Sequence, residues 1–252
     1  MEETMQHLQD GVIRINVLYG LDIWVSINFD ALKEIIHMRE LGLLDICDIP
    51  YVPKNKKDEK RIVELMKKEA CSMAKLEELI QEFCPNGVEY RNLENCCEIL
   101  DNKRKPVTKV AREAGEYPYY GANGIQDYVA DYIFDGTFVL VGEDGSVVTE
   151  QGTPIVTWAT GKIWVNNHAH IVAQKEGISL RYLYHFIQTV NVKPLIHGNI
   201  PKLTGGDFRA IQIPVPPLPV QNEIVRILDT FTDLTADLTA ELAARKKQYD
   251  YY

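Results

Sequence analysis

The chain has 252 residues, 46% of them hydrophobic, enough to build one large domain or two modest ones. No apolar run reaches the ~18 residues of a membrane span, and "MEETMQHLQDG" lacks the basic and apolar regions of a signal peptide, so a cytoplasmic protein is expected. The net charge of -9 speaks at first against nucleic acid, but residues 1–98 carry -7, residues 99–216 carry 0 and residues 217–252 carry -2, so a neutral middle can still hold a basic face. Five cysteines (Cys47, Cys71, Cys84, Cys96, Cys97) form no C-x2-C pair and are odd in number, which excludes a disulfide framework and predicts packed thiols rather than a metal site.

Residues 11–27, "GVIRINVLYGLDIWVSI", are rich in Val, Ile and aromatics around a Gly and predict one or two strands. "NFDALKEIIHMREL" follows with Asn28 as a cap ahead of Leu32, Ile35, Ile36 and Met38 at helical spacing, so a small α+β unit is expected. From Asp58 to Phe83 apolar residues recur every three or four positions, predicting one amphipathic helix or two in tandem, ended by Pro85-Asn86-Gly87. From Val88 to Pro214 short apolar runs alternate with turns, and Asp135-Gly136 and Asp144-Gly145 suit tight hairpins because a type I′ turn needs φ > 0 at both central positions. A β-rich domain is expected there, with one helical insertion at "SLRYLYHFIQTV", where Leu180, Leu183, Phe186 and Ile187 share a face.

Beyond Pro219 the pattern turns helical again. Ile224, Ile227, Phe231, Leu234, Leu238 and Leu242 follow the coiled-coil spacing over two to three heptads, and a helix from Val220 to Tyr252 would be roughly 50 Å long at ~1.5 Å per residue. The preceding "IPVPPLPVQNEIVRIL" has the P-x-x-P spacing of a docking peptide, yet it joins a β domain directly to a helix. Pro219 can open that helix while Pro214, Pro216 and Pro217 keep the chain before it extended, so the stretch reads as a stiff joint.

Catalytic motifs are missing. There is no phosphate-binding G-x-x-x-x-G-K-[ST] loop, no Gly-rich dinucleotide fingerprint, no H-E-x-x-H helix and no Asn/Asp-Pro-Pro-aromatic motif of adenine methyltransferases, so catalysis by this chain alone is not expected. His168 and His170 in "NNHAHIV" would face one side of a strand, a spacing open to a metal, but without a third ligand nearby structural histidines are expected. "DNKRKPV" gathers Lys103, Arg104 and Lys105 in a loop, where cations can reach phosphates or simply be solvated. "YPYYGANG" sets aromatic rings and Asn123 on a tight backbone, and "IHGNIPKL" combines His197, Asn199 and Lys202, equally compatible with a binding loop or an ordinary turn.

Taken in order, "KLEELIQEFCPNGVEYRNLENCCEI", "YPYYGANGIQDYVADYIFDGTFVLVGEDGSV", "GKIWVNNHAHIV" and "HGNIPKLTGGDFRAIQIPVPPLPVQNEIVRILD" resemble the specificity subunits of type I restriction-modification systems, over residues 74–252. The resemblance implies an α+β chain: residues 1–72 an N-terminal extension without a match, 73–87 a leading helix, 88–216 a β-rich target recognition domain, and 217–252 a coiled-coil-forming dimerisation and spacer helix. It also implies a non-catalytic protein that binds double-stranded DNA and the modification subunit. The restriction subunit would join through the complex, and the partners, not this chain, would use S-adenosylmethionine, ATP and magnesium. Full members carry two recognition domains held apart by two helices, whereas one domain and one distal helix are present, so pairing with a second copy is expected. A degenerate or regulatory relative that occupies the modification subunit without reading DNA is the alternative. Within this frame Lys103, Arg104, Lys105, Lys162 and Lys202 are expected at phosphates, Tyr119, Tyr120, Asn123 and His197 at bases or sugars, and the seam from Ile224 to Leu242 against the partner helix.

Overall fold

The computed structural model of the protein describes residues 12–17, 21–26, 75–145, 147–199 and 201–251, with backbone only for the first two segments and for most of the stretch beyond residue 233. The chain forms two compact units, one of residues 87–222 and one of residues 1–86 together with 223–252. Among the described residues no helix is long and apolar enough to cross a membrane.

The first unit is built on a six-stranded sheet. Its strands are β4 (Glu98–Ile99), β5 (Ala114–Gly121), β6 (Gly124–Val129), β7 (Phe134–Gly142), β8 (Val156–Val165) and β9 (Ala169–Ala173), in the spatial order β4-β9-β7-β8-β5-β6. All neighbours are antiparallel except β5 and β8, where Tyr119 pairs with Trp164 and Tyr120 with Val165 in parallel. Because side chains alternate along a strand, one face collects Tyr120, Phe134, Phe138, Leu140, Ala159, Ile163, Val165, Ala169 and Ile171 into a buried core. The opposite face carries Val139 and Trp158, covered by helix α3 (Leu180–Ile187), whose Tyr184 meets the Trp158 ring edge-on at 5.5 Å. This helix is the insertion expected from its apolar spacing; it buries Leu180, Leu183 and Ile187, and Ser179 caps it by accepting from Tyr182 N.

Two turn expectations need correction. Asp135-Gly136 lies inside β7, where Gly136 sits directly across from Gly161 of β8. Both glycines have positive φ, 151° and 81°, so the conformational freedom that resembled a turn signal is used within a ladder whose register runs unbroken from Phe134↔Ile163 to Val141↔Val156. Gly145 does have φ 82°, but it lies in a long loop, and Asp144 bridges Lys202 rather than closing a hairpin. The two-residue hairpin is at Ala122-Asn123, between the paired Gly121 and Gly124, with Gly124 at φ 96°.

The rest of this unit is small. β3 (Tyr90–Asn92) pairs antiparallel with β12 (Gln212–Pro214), and short helices α2 (Leu93–Cys96) and α4 (Gly205–Ala210) pack beside them, burying Leu93, Phe208 and Ile213 completely. β10 (Ile196–His197) and β11 (Lys202–Leu203) form a separate hairpin.

In the second unit β1 (Val12–Val17) and β2 (Leu21–Ser26) pair antiparallel from Val12↔Ser26 to Val17↔Leu21, as the β-rich composition predicts. The helix expected after Asn28, and most of that expected from Asp58, lie outside the described residues. Helix α1 over residues 75–83 is the described end of the latter, and it stops before Pro85 as expected. Helix α5 runs from Leu218 to Tyr251, 34 residues. Ile224 and Ile227 are corrected as partner contacts, being buried within the chain itself, as are Leu76 and Ile80 of α1 and Cys84 just beyond it, and Lys75 pairs with Glu223 at 3.0 Å. The side chains of Leu234, Leu238 and Leu242 lie outside the described residues.

Candidate nucleic-acid interface

Between β4 and β5 the chain makes a 3₁₀ turn at Asp101–Lys103 and then a loop pinned onto the outer face of the sheet. Lys105 N donates to Val165 O at 3.3 Å, and Trp164 Nε1 donates back to Lys105 O at 2.7 Å. The Tyr119 hydroxyl accepts from Val107 N at 3.0 Å and lies 3.3 Å from Val107 O, to which Arg112 Nε also donates at 3.2 Å. Arg112 lies 4.1 Å above the Tyr119 ring and pairs with Asp127 at 3.1 Å. The anchors come from the sheet and turn inward, so Lys103, Lys105 and Lys109 are left exposed on a loop of defined shape.

Lys162, two positions before Trp164 on the same face of β8, extends this cationic edge. Its ammonium stands 4.7 Å from the Tyr132 ring centre and 5.9 Å from that of Tyr117. The electronegative surroundings of Tyr132, then Tyr117, raise its pKa, so it remains a cation throughout the neutral range.

Beneath the loop lies a network of charges. Arg104 donates to Glu143 Oε2 at 2.5 Å and to Ala169 O at 2.8 Å, and stands 3.7 Å from Asp101. His170, 1% exposed, directs Nδ1 to Asp101 at 2.7 Å and Nε2 to Leu203 O at 3.0 Å, and its ring stacks on Phe208 at 4.3 Å. Lys202 closes the set at 3.0 Å from Glu143. Burial raises the pKa of both carboxyls. Hydrogen bonding outweighs it, from His170 at Asp101 and from Arg104 and Lys202 at Glu143, and leaves both below their usual values. Asp101, Glu143 and His170 bring ligand atoms within 4.8 Å of one another, but the cationic groups of Arg104 and Lys202 already neutralise that charge, so the cluster reads as an internal salt network.

The residues singled out in the sequence divide accordingly. Lys103, Lys105 and Lys162 are exposed, Lys105 with its carbonyl on Trp164 Nε1 and Lys162 two positions away along β8, and Asn123 is exposed at the β5–β6 turn. Arg104 is corrected: its side chain is 13% exposed and its donors are taken up by internal acceptors, so it braces the loop instead of reaching phosphate. Tyr119 and Tyr120 are corrected as well, being 1% and 7% exposed, the first under the loop and the second in the core. His197 is 60% exposed and 3.4 Å from Asp207; Lys202 is 45% exposed but turned toward Glu143. His168 lies before β9 rather than within it, and pairs with Asp144 instead of sharing a strand face with His170. Sequence reasoning missed Lys109, Val110 and Arg112. The only available signal was the Lys and Arg spacing in "TKVAR", which carries no period of its own.

Residues 85–245 match the family model described as the type I restriction modification DNA specificity domain. A putative type I restriction enzyme specificity subunit of Haemophilus influenzae is 45% identical over 174 residues, covering 66% of this chain and 45% of that protein. The specificity subunit of the Escherichia coli type I restriction enzyme EcoprrI is 29% identical over 124 residues, covering 49% of this chain and 30% of that protein. The aligned part thus spans less than half of either relative. Among solved structures, the type I restriction-modification system S subunit of M. genitalium superposes with a TM-score of 0.51 at 13% identity, covering 99% of this chain and 68% of that one, a likeness of fold.

Proposed function

The chain belongs to the type I restriction-modification DNA specificity family, and from that premise we propose that it is the DNA-recognition component of such a system, itself without catalytic activity. The observation that carries this reading is the pinned cationic loop, which leaves Lys103 and Lys105 exposed, with Lys162 exposed on the strand β8 to which the loop is hydrogen-bonded. Fixed lysines suit phosphates because their charge replaces counterions released from the duplex, and a loop that cannot fold back spends little entropy on binding. Asn123 and His197 are the exposed polar groups proposed for bases or sugars.

In this reading the chain directs a modification subunit and, through the complex, a restriction subunit to a split target in the cytoplasm. Those partners, not this chain, use S-adenosylmethionine, ATP and magnesium. With one recognition domain followed by one 34-residue helix, two copies are proposed to pair through the part of the α5 seam beyond Ile227, from Phe231 to Leu242, since Ile224 and Ile227 are already buried within the chain, and to read an inverted repeat. A helix of roughly 50 Å at ~1.5 Å per residue spans about 15 base pairs at ~3.4 Å per step.

Co-purification with the modification subunit, followed by mapping of methylated adenines, tests the proposal. The expected result is a stable complex that methylates one bipartite sequence. A complex that forms but methylates nothing favours the second reading, a regulatory protein that occupies the modification subunit; the charge of -7 on residues 1–98 supports it, since acidic groups near the DNA face would repel phosphate. Duplex binding that appears only when the chain starts at Met73 would point the same way.

A further inference from the structure

Val110 projects from the cationic loop with 99% of its surface exposed, at the middle of the 3₁₀ turn Lys109–Ala111. A lone exposed apolar side chain is ordinary on a protein surface, but this one rides on a braced backbone. Val107 on one side is clasped by Tyr119 and Arg112, Arg112 on the other is tied to Asp127, and Ala111 N closes the turn onto Thr108 O at 3.0 Å. The fold thus holds an isopropyl group in open water, next to Lys109 and in the same loop as Lys103 and Lys105.

An isopropyl group has neither donor nor acceptor, so it cannot read the hydrogen-bonding edge of a base. The one apolar group that base pairs present in the major groove is the thymine methyl, and that groove, about 12 Å wide, admits a two-stranded ribbon and so a single turn of chain. Lysines beside the apolar tip place charge at the phosphates lining the groove. We propose that Val110 reads a thymine methyl group in the major groove, with Lys109 on a neighbouring phosphate. This inference rests on the duplex recognition proposed above and adds to it a specificity-determining residue and the chemical group it reads.

The test uses the full chain to select duplexes from a randomised library, then copies the selected pool with deoxyuridine in place of thymidine, which removes only the methyl groups. Wild type should bind the uracil pool about fourfold more weakly, the worth of one buried methyl. Val110→Ala should bind the thymine pool more weakly than wild type by about fourfold to tenfold and should no longer distinguish the two pools; the 99% exposure of Val110 separates the change from core packing, and circular dichroism checks the fold. Lys109→Ala should weaken both pools alike and lower the salt slope by about one. Equal affinity of wild type for the two pools overturns the inference, as does a thymine preference that Val110→Ala retains. Wild type that binds no duplex in a salt-dependent way overturns DNA recognition itself, and the inference with it.

Discussion

Gln221, in the first turns of α5, is fully buried and holds three chain segments together. Its Oε1 accepts from Ser179 N at 2.8 Å, and its Nε2 donates to Pro216 O at 2.7 Å and to Gly177 O at 3.3 Å. Gln221→Leu keeps the bulk and removes all three bonds. Gly177 is exposed, so water can satisfy its carbonyl, but Pro216 is buried and Ser179 partly so, leaving an acceptor and a donor without partners. At about 1–3 kcal/mol for each of the two buried unsatisfied groups, less about 1 kcal/mol for burying the leucine methyls, the loss is roughly 1–5 kcal/mol. With a urea m-value of ~2 kcal/mol/M the unfolding midpoint should fall by about 0.5–2.5 M, read by the fluorescence of Trp158 and Trp164, both in this unit. Gln221→Glu should fall at least as far, because a carboxylate has no hydrogen to give Pro216 O. A leucine variant whose midpoint stays within about 0.2 M of wild type would show that these bonds are replaced by solvent and that the proline segment is held by its own stiffness.

The cationic loop yields a paired expectation. Lys103→Ala with Lys105→Ala should lower the salt dependence of duplex binding by up to about two units without altering stability, whereas Arg104→Ala should destabilise by about 1–3 kcal/mol by removing one partner each from Asp101 and Glu143, which keep His170 and Lys202; urea titration and salt-series binding separate the two, and a shallower slope with unchanged stability for Arg104→Ala would refute the division. Acid should act through the same carboxyls. Their native pKa values lie below the ordinary 3.8 and 4.5, so as pH falls the unfolded chain takes up protons first; the stabilisation is fully present at neutral pH, begins to decline near about pH 4 and is lost as pH falls through the lower native values. Glu143→Gln should therefore be less stable than wild type at pH 7, and the gap should narrow steadily as pH falls below about 4; a gap of constant size would exclude this origin.

Local patterns forecast local structure well and charge placement poorly, and the reason is physical. The apolar spacing of Leu180, Leu183 and Ile187 and the seam starting at Ile224 arise within one helix, so a short window contains the whole signal. Gly136 needed information from 25 positions away: its partner across the ladder is Gly161, and only that pairing distinguishes a strand glycine from a turn glycine. Lys103, Arg104 and Lys105 show the same limit at the candidate site. Three consecutive cations look interchangeable along the chain, yet the backbone aims the middle one inward, where Glu143, Asn167 and Ala169, 39 to 65 residues away in sequence, supply acceptors. Lys105 follows Arg104 in extended backbone and so points away from that inward anchor, because neighbours in an extended segment alternate sides, while Lys103 is exposed as the last residue of the 3₁₀ turn. Lys105, left to meet a phosphate, is therefore fixed by the residue that cannot, and Val110 is carried outward by the equivalent clasp of Tyr119 and Arg112 on Val107.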